Sequence, residues 1–186
     1  GFPPEPYIGS EHEGESLEIQ YTAKEAGDFE LHVWCDADGT GGNTAASLVA
    51  ELCADDTRLP IYWCSFYSPC LSIFLPFFNE GQLPTVLSRG EKEPSDDSPW
   101  WRFHQLGHLA RTQPDTIPAI CAHWSEWQTQ LYTSARQIAV EGRQLLDAGQ
   151  QTASERLLSD YMASNTASML EGVNALLRNT SERLPA

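Results

Sequence analysis

The first half of the chain alternates between apolar and polar residues or carries short apolar runs bounded by turn-forming residues. Both patterns are typical of β-strands, half-buried in the first case and buried in the second. The short loops between these segments predict antiparallel pairing, because parallel strands need long crossover connections. About five strands are expected on this pattern, at residues 17–21, 29–34, 45–52, 61–66 and 71–77.

After residue 98 the apolar spacing lengthens to that of an α-helix. Ser98 is a suitable N-cap and Pro99 a suitable first helical residue, so a helix is predicted over residues 99–111. An order of strands followed by helices is typical of the α+β class. We therefore predict an α+β fold in which an antiparallel sheet is followed by helices.

Two longer helices are predicted farther along. Thr116 marks the start of the first and Gly149 its end. Thr152 and Glu155 form the spacing of a capping box, which predicts the start of the last helix.

The chain of 186 residues is long enough for one domain with a sizeable core. We treat residues 1–186 as a single domain or subunit. Its expected parts are a strand-rich part at 1–78, a connecting loop at 79–97 and a helical part at 98–186.

The charge balance excludes several kinds of partner. The formal net charge of -15 would repel nucleic-acid phosphates and an anionic membrane surface. No apolar run reaches the length of a membrane span, and residues 1–15 lack the pattern of a cleavable signal. We predict a cytoplasmic protein with no nucleic-acid or membrane partner, and expect Gly1 to start a fragment or a processed subunit.

The five cysteines form no Cys-x-x-Cys pair and no evident disulfide framework, although one disulfide remains open. Most of them fall in or beside predicted strands, where free cysteine usually behaves as a small buried apolar residue. The five cysteines of the chain are Cys35, Cys53, Cys64, Cys70 and Cys121.

Two candidate metal motifs are incomplete. His104 and His108 have the spacing of helical metal ligands, but Gln105 stands where a zinc protease has its glutamate, so packing or capping roles are favoured. The segment starting at Asp36 begins like a calcium loop but has Thr40 at the fifth position, which favours a polar turn. We predict neither a metal nor another cofactor.

Two short motifs follow one another in the predicted strands, at residues 43–52 and 69–78. Residues that fit a pattern Thr-Thr-Ala/Gly-Ser-Met-Val and a pattern Pro-Ser-x-Ser-Ile-Phe-x-Pro-Phe are Thr44, Ala46, Ser47, Val49, Pro69, Ser72, Ile73, Phe74, Pro76 and Phe77. Ala45, Leu48 and Cys70 depart from these patterns. With the aromatic segment at 100–110 behind them, the motifs resemble the secernins and the related bacterial cysteine dipeptidases, which are N-terminal-nucleophile hydrolases.

This resemblance implies the C-terminal half of an αββα sandwich. It also implies a cysteine-type amidohydrolase that cleaves dipeptides or small acylated amines. In such enzymes the nucleophile is a cysteine at the mature N-terminus, whose own α-amino group is the base. No cysteine of this chain is terminal, so the nucleophile is expected on an N-terminal half or a second subunit.

No catalytic residue is therefore expected on this chain itself. Asn43 and Thr44 enter a strand from a Gly-rich turn, where they would bind substrate or stabilise an oxyanion. The alternative role of these two residues is to cap the turn. The alternative function is a non-enzymatic interaction protein that keeps the hydrolase fold.

Overall fold

The computed structural model describes residues 28–34, 44–89 and 93–181. Within these ranges one antiparallel sheet of four strands has the order β1-β2-β3-β4. The strands are β1 (Asp28–Trp34), β2 (Thr44–Glu51), β3 (Ile61–Phe66) and β4 (Leu75–Phe77). The prediction of an antiparallel sheet followed by helices is confirmed, whereas the strand predicted at 17–21 lies outside the described residues.

Three α-helices follow the sheet in the described part of the chain. They are α1 (Pro99–Thr112), α2 (Ile117–Asp147) and α3 (Gln151–Ser181). Short 3-10 turns lie at Pro69–Leu71, Thr85–Ser88 and Pro114–Thr116.

The helix boundaries confirm most of the predicted signals. The Ser98 hydroxyl accepts a hydrogen bond from the Trp101 amide at 3.5 Å, as an N-cap does. Gly149 has φ +73°, the left-handed conformation that ends helices and that glycine adopts without strain. The capping box at Thr152 is wrong, because the amides of Ala153 and Ser154 already donate to the carbonyl of Gln150.

The strand predicted at 71–77 is also wrong in its first half. Pro69–Leu71 forms a 3-10 turn, and β4 begins only at Leu75. The indole of Trp124 donates to the Leu71 carbonyl at 3.2 Å. Gln128 accepts from the Phe74 amide at 2.8 Å and donates to its carbonyl at 3.2 Å. Side chains of α2 therefore satisfy backbone groups that a neighbouring strand would otherwise pair.

The two faces of the sheet have different neighbours. Burial alternates along β3, with Ile61, Trp63 and Ser65 buried between half-buried residues. Trp63 packs edge-on against Tyr132 of α2, with ring centroids 4.9 Å apart. The long helices therefore cover the face of the sheet that carries Trp63.

The helices α2 and α3 pack against each other through small residues. The Ser154 hydroxyl donates to the carbonyl of Gly142 at 3.0 Å, where the two helices approach closely. Leu158 and Met162 of α3 are fully buried and complete this part of the core. The Phe78 amide lies 3.3 Å from the Met162 sulfur, which connects the end of β4 to α3.

Candidate functional site

From residue 46 of β2 onward, the face of the sheet opposite the long helices is apolar, and we call it the open face. Directly paired residues of an antiparallel sheet lie on the same face, so the register defines its members. In β2, β3 and β4 they are Ala46, Leu48, Ala50, Tyr62, Cys64, Phe66, Leu75 and Phe77. In β1, residues 29, 31 and 33 pair with this set and are Phe, Leu and Val.

The open face is partly accessible to solvent. Leu75 and Phe77 are buried, and Phe66 stacks on Phe103 of α1 with ring centroids 6.0 Å apart. Ala46 is exposed, and Leu48, Tyr62 and Phe66 are half-buried. A groove of about 400 Å³ lies on this face, and Leu83 and Leu87 line it together with residues of β3 and β4. An apolar sheet face of this kind marks a surface that a further layer normally covers.

One end of the sheet carries a cluster that we call the aromatic corner, formed by Tyr67, Trp100, Trp101, His104 and Arg111. His104 stacks on Trp100 with ring centroids 5.4 Å apart, and Tyr67 packs edge-on against both rings. Trp101 is edge-on to His104 at 5.1 Å. The helix α1 therefore supplies four members of the cluster, and the residue directly after β3 supplies the fifth.

Tyr67 is held in an unusual conformation. Its φ is +57°, which is rare for a bulky residue and persists only where the surroundings impose it. Its hydroxyl accepts a hydrogen bond from Arg111 at 2.6 Å, and the side chain is buried. Helix α1 has Gly107 under the Tyr67 ring, where an added Cβ would lie 2.9 Å from Tyr67 Cδ1.

The two candidate histidines have different surroundings. His104 belongs to the aromatic corner, where burial and the nearby charges of Arg111 and His108 lower its pKa. His108 is exposed and lines a groove of about 690 Å³ between α1 and α3. Among the described residues, no three His, Cys, Asp or Glu side chains are grouped as metal ligands.

Of the two predicted site residues, Thr44 lies at the same end of the sheet as the aromatic corner. Thr44 is the first residue of β2, and Ala46, two positions later, pairs with Phe66, which immediately precedes Tyr67. Asn43 lies outside the described residues, as do Asp36 and Thr40. The structure thus brings the start of β2 beside Tyr67, a residue for which the sequence pattern carried no signal.

A buried carboxylate lies at the other end of β2. Glu51 accepts hydrogen bonds from Arg136 at 2.8 Å and from the Trp63 indole at 3.1 Å. Arg58 lies 2.9 Å from the same carboxylate. Burial raises the pKa of Glu51, but the hydrogen bonds from Arg136 and Trp63 and the two guanidinium charges outweigh it and hold this pKa below its usual 4.5.

The cysteines do not share one environment. Cys64 lies within the sheet, and burial raises the pKa of its thiol to about 11. Cys53 donates to Asp55 at 2.8 Å, a bond that, with those from Thr57, lowers the pKa of Asp55 to about 2. The expectation of buried thiols is wrong for Cys70 and Cys121, which are exposed and free. Position 35 lies outside the described residues.

Comparison of the chain with protein-family models, with curated proteins and with solved structures found no match. None of the described helices has the combination of length and apolar character needed to cross a membrane.

Proposed function

We propose that this chain is the C-terminal part of a secernin-like cysteine amidohydrolase that cleaves amide bonds of dipeptides or small acylated amines. In this proposal the open face packs on a second sheet, and the segment carrying that sheet supplies the nucleophilic cysteine. The observation that carries the proposal is the open face, which is apolar from Ala46 to Ala50 and at the positions of β3 and β4 that pair with them.

The proposed sandwich follows from how sheets pack. Two apolar sheet faces pack at about 10 Å and exclude water from both, while helices cover the outer faces. In this chain the helices already cover the face of Trp63, so a second layer has only the open face on which to pack. That layering, helix, sheet, sheet and helix, is the architecture implied by the two sequence motifs.

The end of the sheet at Thr44 and Tyr67 is the proposed pocket wall. The backbone and side chains of Asn43 and Thr44 would donate hydrogen bonds to the oxyanion that forms when the thiolate attacks an amide carbonyl. The aromatic corner lies beside this end and presents rigid rings that exclude water. The terminal α-amino group would accept the thiol proton and later return it to the leaving amine.

Activity is expected only in the assembled protein. This chain alone should release no amine from dipeptides, whereas the chain combined with the segment that precedes it in its gene should do so. Replacing the terminal cysteine of that segment by alanine should abolish turnover, because the covalent intermediate cannot form. Release of amino acids, measured by chromatography, is the assay.

The contribution of this chain is tested by Asn43→Ala in the assembled enzyme. Removing one oxyanion donor is expected to lower kcat on the order of a hundredfold. Asp115→Ala, an exposed position before α2, is the matched control and should leave kcat unchanged. A neutral Asn43→Ala would refute the pocket placement. Turnover by this chain alone would refute the proposed division of the enzyme, and an assembled protein without turnover would favour the non-enzymatic alternative.

A separate prediction concerns the exposed apolar surface of the open face. The chain alone should bind an apolar fluorescent dye, and Leu48→Lys should reduce both dye binding and association with the covering segment, because a buried unpaired lysine is costly. Val140→Lys changes a residue of α2 that is 36% exposed and should leave both unchanged. Equal effects of the two substitutions would show that the open face has no special role.

A further inference from the structure

Two cysteines that are distant in sequence lie close together on the surface. Cys70 belongs to the 3-10 turn Pro69–Leu71 and Cys121 to the first part of α2. The Cys121 sulfur lies 3.5 Å from the carbonyl oxygen of Cys70, and both residues are exposed. Ser68 Oγ lies 3.1 Å from the Cys70 sulfur, so a hydroxyl is in place to hydrogen-bond a thiolate there.

This proximity is fixed by the neighbouring contacts. Trp124 binds the Leu71 carbonyl, and Gln128 binds both backbone groups of Phe74. On α2, Trp124 follows Cys121 by three residues and Gln128 follows Trp124 by four, which places the three side chains on one face of the helix. That face follows the backbone from Cys70 onward, so these bonds hold the Cys121 thiol beside the backbone of Cys70.

We propose that Cys70 and Cys121 are a redox-sensitive pair that forms an intramolecular disulfide when the protein meets a disulfide oxidant such as oxidised glutathione. The inference concerns this chain's own fold and does not depend on the proposed hydrolase activity. Both side chains are exposed, so rotation about their Cα–Cβ bonds is the motion by which the sulfur atoms would meet.

The reaction is a thiol–disulfide exchange in two steps. The Cys121 thiolate attacks one sulfur of oxidised glutathione, and one glutathione thiolate leaves. The Cys70 thiolate then attacks the Cys121 sulfur of the mixed disulfide and expels the second glutathione thiolate. Two cysteine thiols lose two protons and two electrons, and one oxidised glutathione becomes two molecules of reduced glutathione.

The other described cysteines are poorer partners. The thiol of Cys64 has a pKa of about 11 because it is buried, so little thiolate forms at neutral pH. The thiol of Cys53 already donates a hydrogen bond to the Asp55 carboxylate at 2.8 Å. Among these four cysteines, the exchange is therefore specific for Cys70 and Cys121.

The test is peptide mapping of the chain after incubation with oxidised glutathione under native conditions. A peptide linked through Cys70 and Cys121 should be the main product, and dithiothreitol should remove it. The bond closes a long loop between the 3-10 turn and α2, so the thermal midpoint of the oxidised protein should rise by several degrees. In urea, where the turn no longer lies against α2, the linked peptide should lose its predominance.

Variants separate this pair from general thiol oxidation. Cys70→Ser and Cys121→Ser should each abolish the linked peptide and the rise in midpoint, and Cys53→Ser should preserve both. Native protein in which both residues stay reduced or carry only glutathione would overturn the proposal. The same holds if the linked peptide forms equally well in urea.

Discussion

Replacing Glu51 by leucine is expected to lower the free energy of unfolding by about 3 kcal/mol, the lower end of the range for breaking a buried ion pair. The leucine would leave the buried Trp63 indole and the guanidinium of Arg58 without their acceptor. The lower end applies because the third partner, Arg136, has a side chain that is 57% exposed and can turn to water. Urea unfolding followed by far-UV circular dichroism measures the change.

The effect of Glu51 should depend on pH in a defined direction. Its folded-state pKa lies below the usual 4.5, so its carboxylate stabilises the fold fully above that value. This contribution is lost as the pH falls through the folded-state pKa. The difference in unfolding free energy between the wild type and Glu51→Leu should therefore shrink in acid.

A matched control shows whether the loss of stability comes from the burial of the carboxylate or only from the loss of a negative charge. Asp160→Leu removes a carboxylate whose contact with Arg156 is 3.6 Å long and whose side chain is 76% exposed. Exposed pairs contribute little, so this change should leave the stability nearly unchanged at every pH. Similar losses for Glu51→Leu and Asp160→Leu would contradict the role assigned to the buried carboxylate.

Replacing Gly107 by alanine is expected to lower the free energy of unfolding by about 1–3 kcal/mol, the usual cost of overpacking a core. The sign is informative, because alanine in a helix interior is otherwise favoured over glycine by about 1 kcal/mol. The added Cβ would overlap the Tyr67 ring, which the hydrogen bond from Arg111 and the rings of the aromatic corner hold in place. Thermal unfolding gives the measurement.

A double-mutant cycle tests whether Tyr67 is the cause. In a Tyr67→Ala background the ring is absent, so Gly107→Ala should become neutral or stabilising by up to about 1 kcal/mol. If Gly107→Ala still lowers the free energy of unfolding when the Tyr67 ring is absent, the close approach between α1 and Tyr67 is not the reason that position 107 requires glycine.

Local signals in the sequence were sufficient for the order and type of most elements. Ser98 and Gly149 act through their own backbone neighbours, as a cap and a left-handed stop, so their roles can be read without the fold. The antiparallel sheet followed by helices likewise follows from apolar period and loop length.

Less of the candidate site could be predicted from local signals in the sequence. Of the two predicted residues, Thr44 begins β2 and Asn43 lies outside the described residues. The start of β2 was identified because a Gly-rich turn precedes an apolar run. Tyr67 and Arg111 were missed, because their hydrogen bond joins residues far apart in the chain and no local pattern reports it.

The apolar character of β2 to β4, the sites where α1 and α2 begin and the negative charge could all be predicted from the sequence. These features depend on residue type and near neighbours. The tertiary fold determines that residues 71–74 leave the sheet, because side chains of α2 bind their backbone groups. It also decided that Glu51 is buried between two arginines and that Cys70 lies beside Cys121. These features depend on which distant side chains the fold brings together, and spacing along the chain does not encode that.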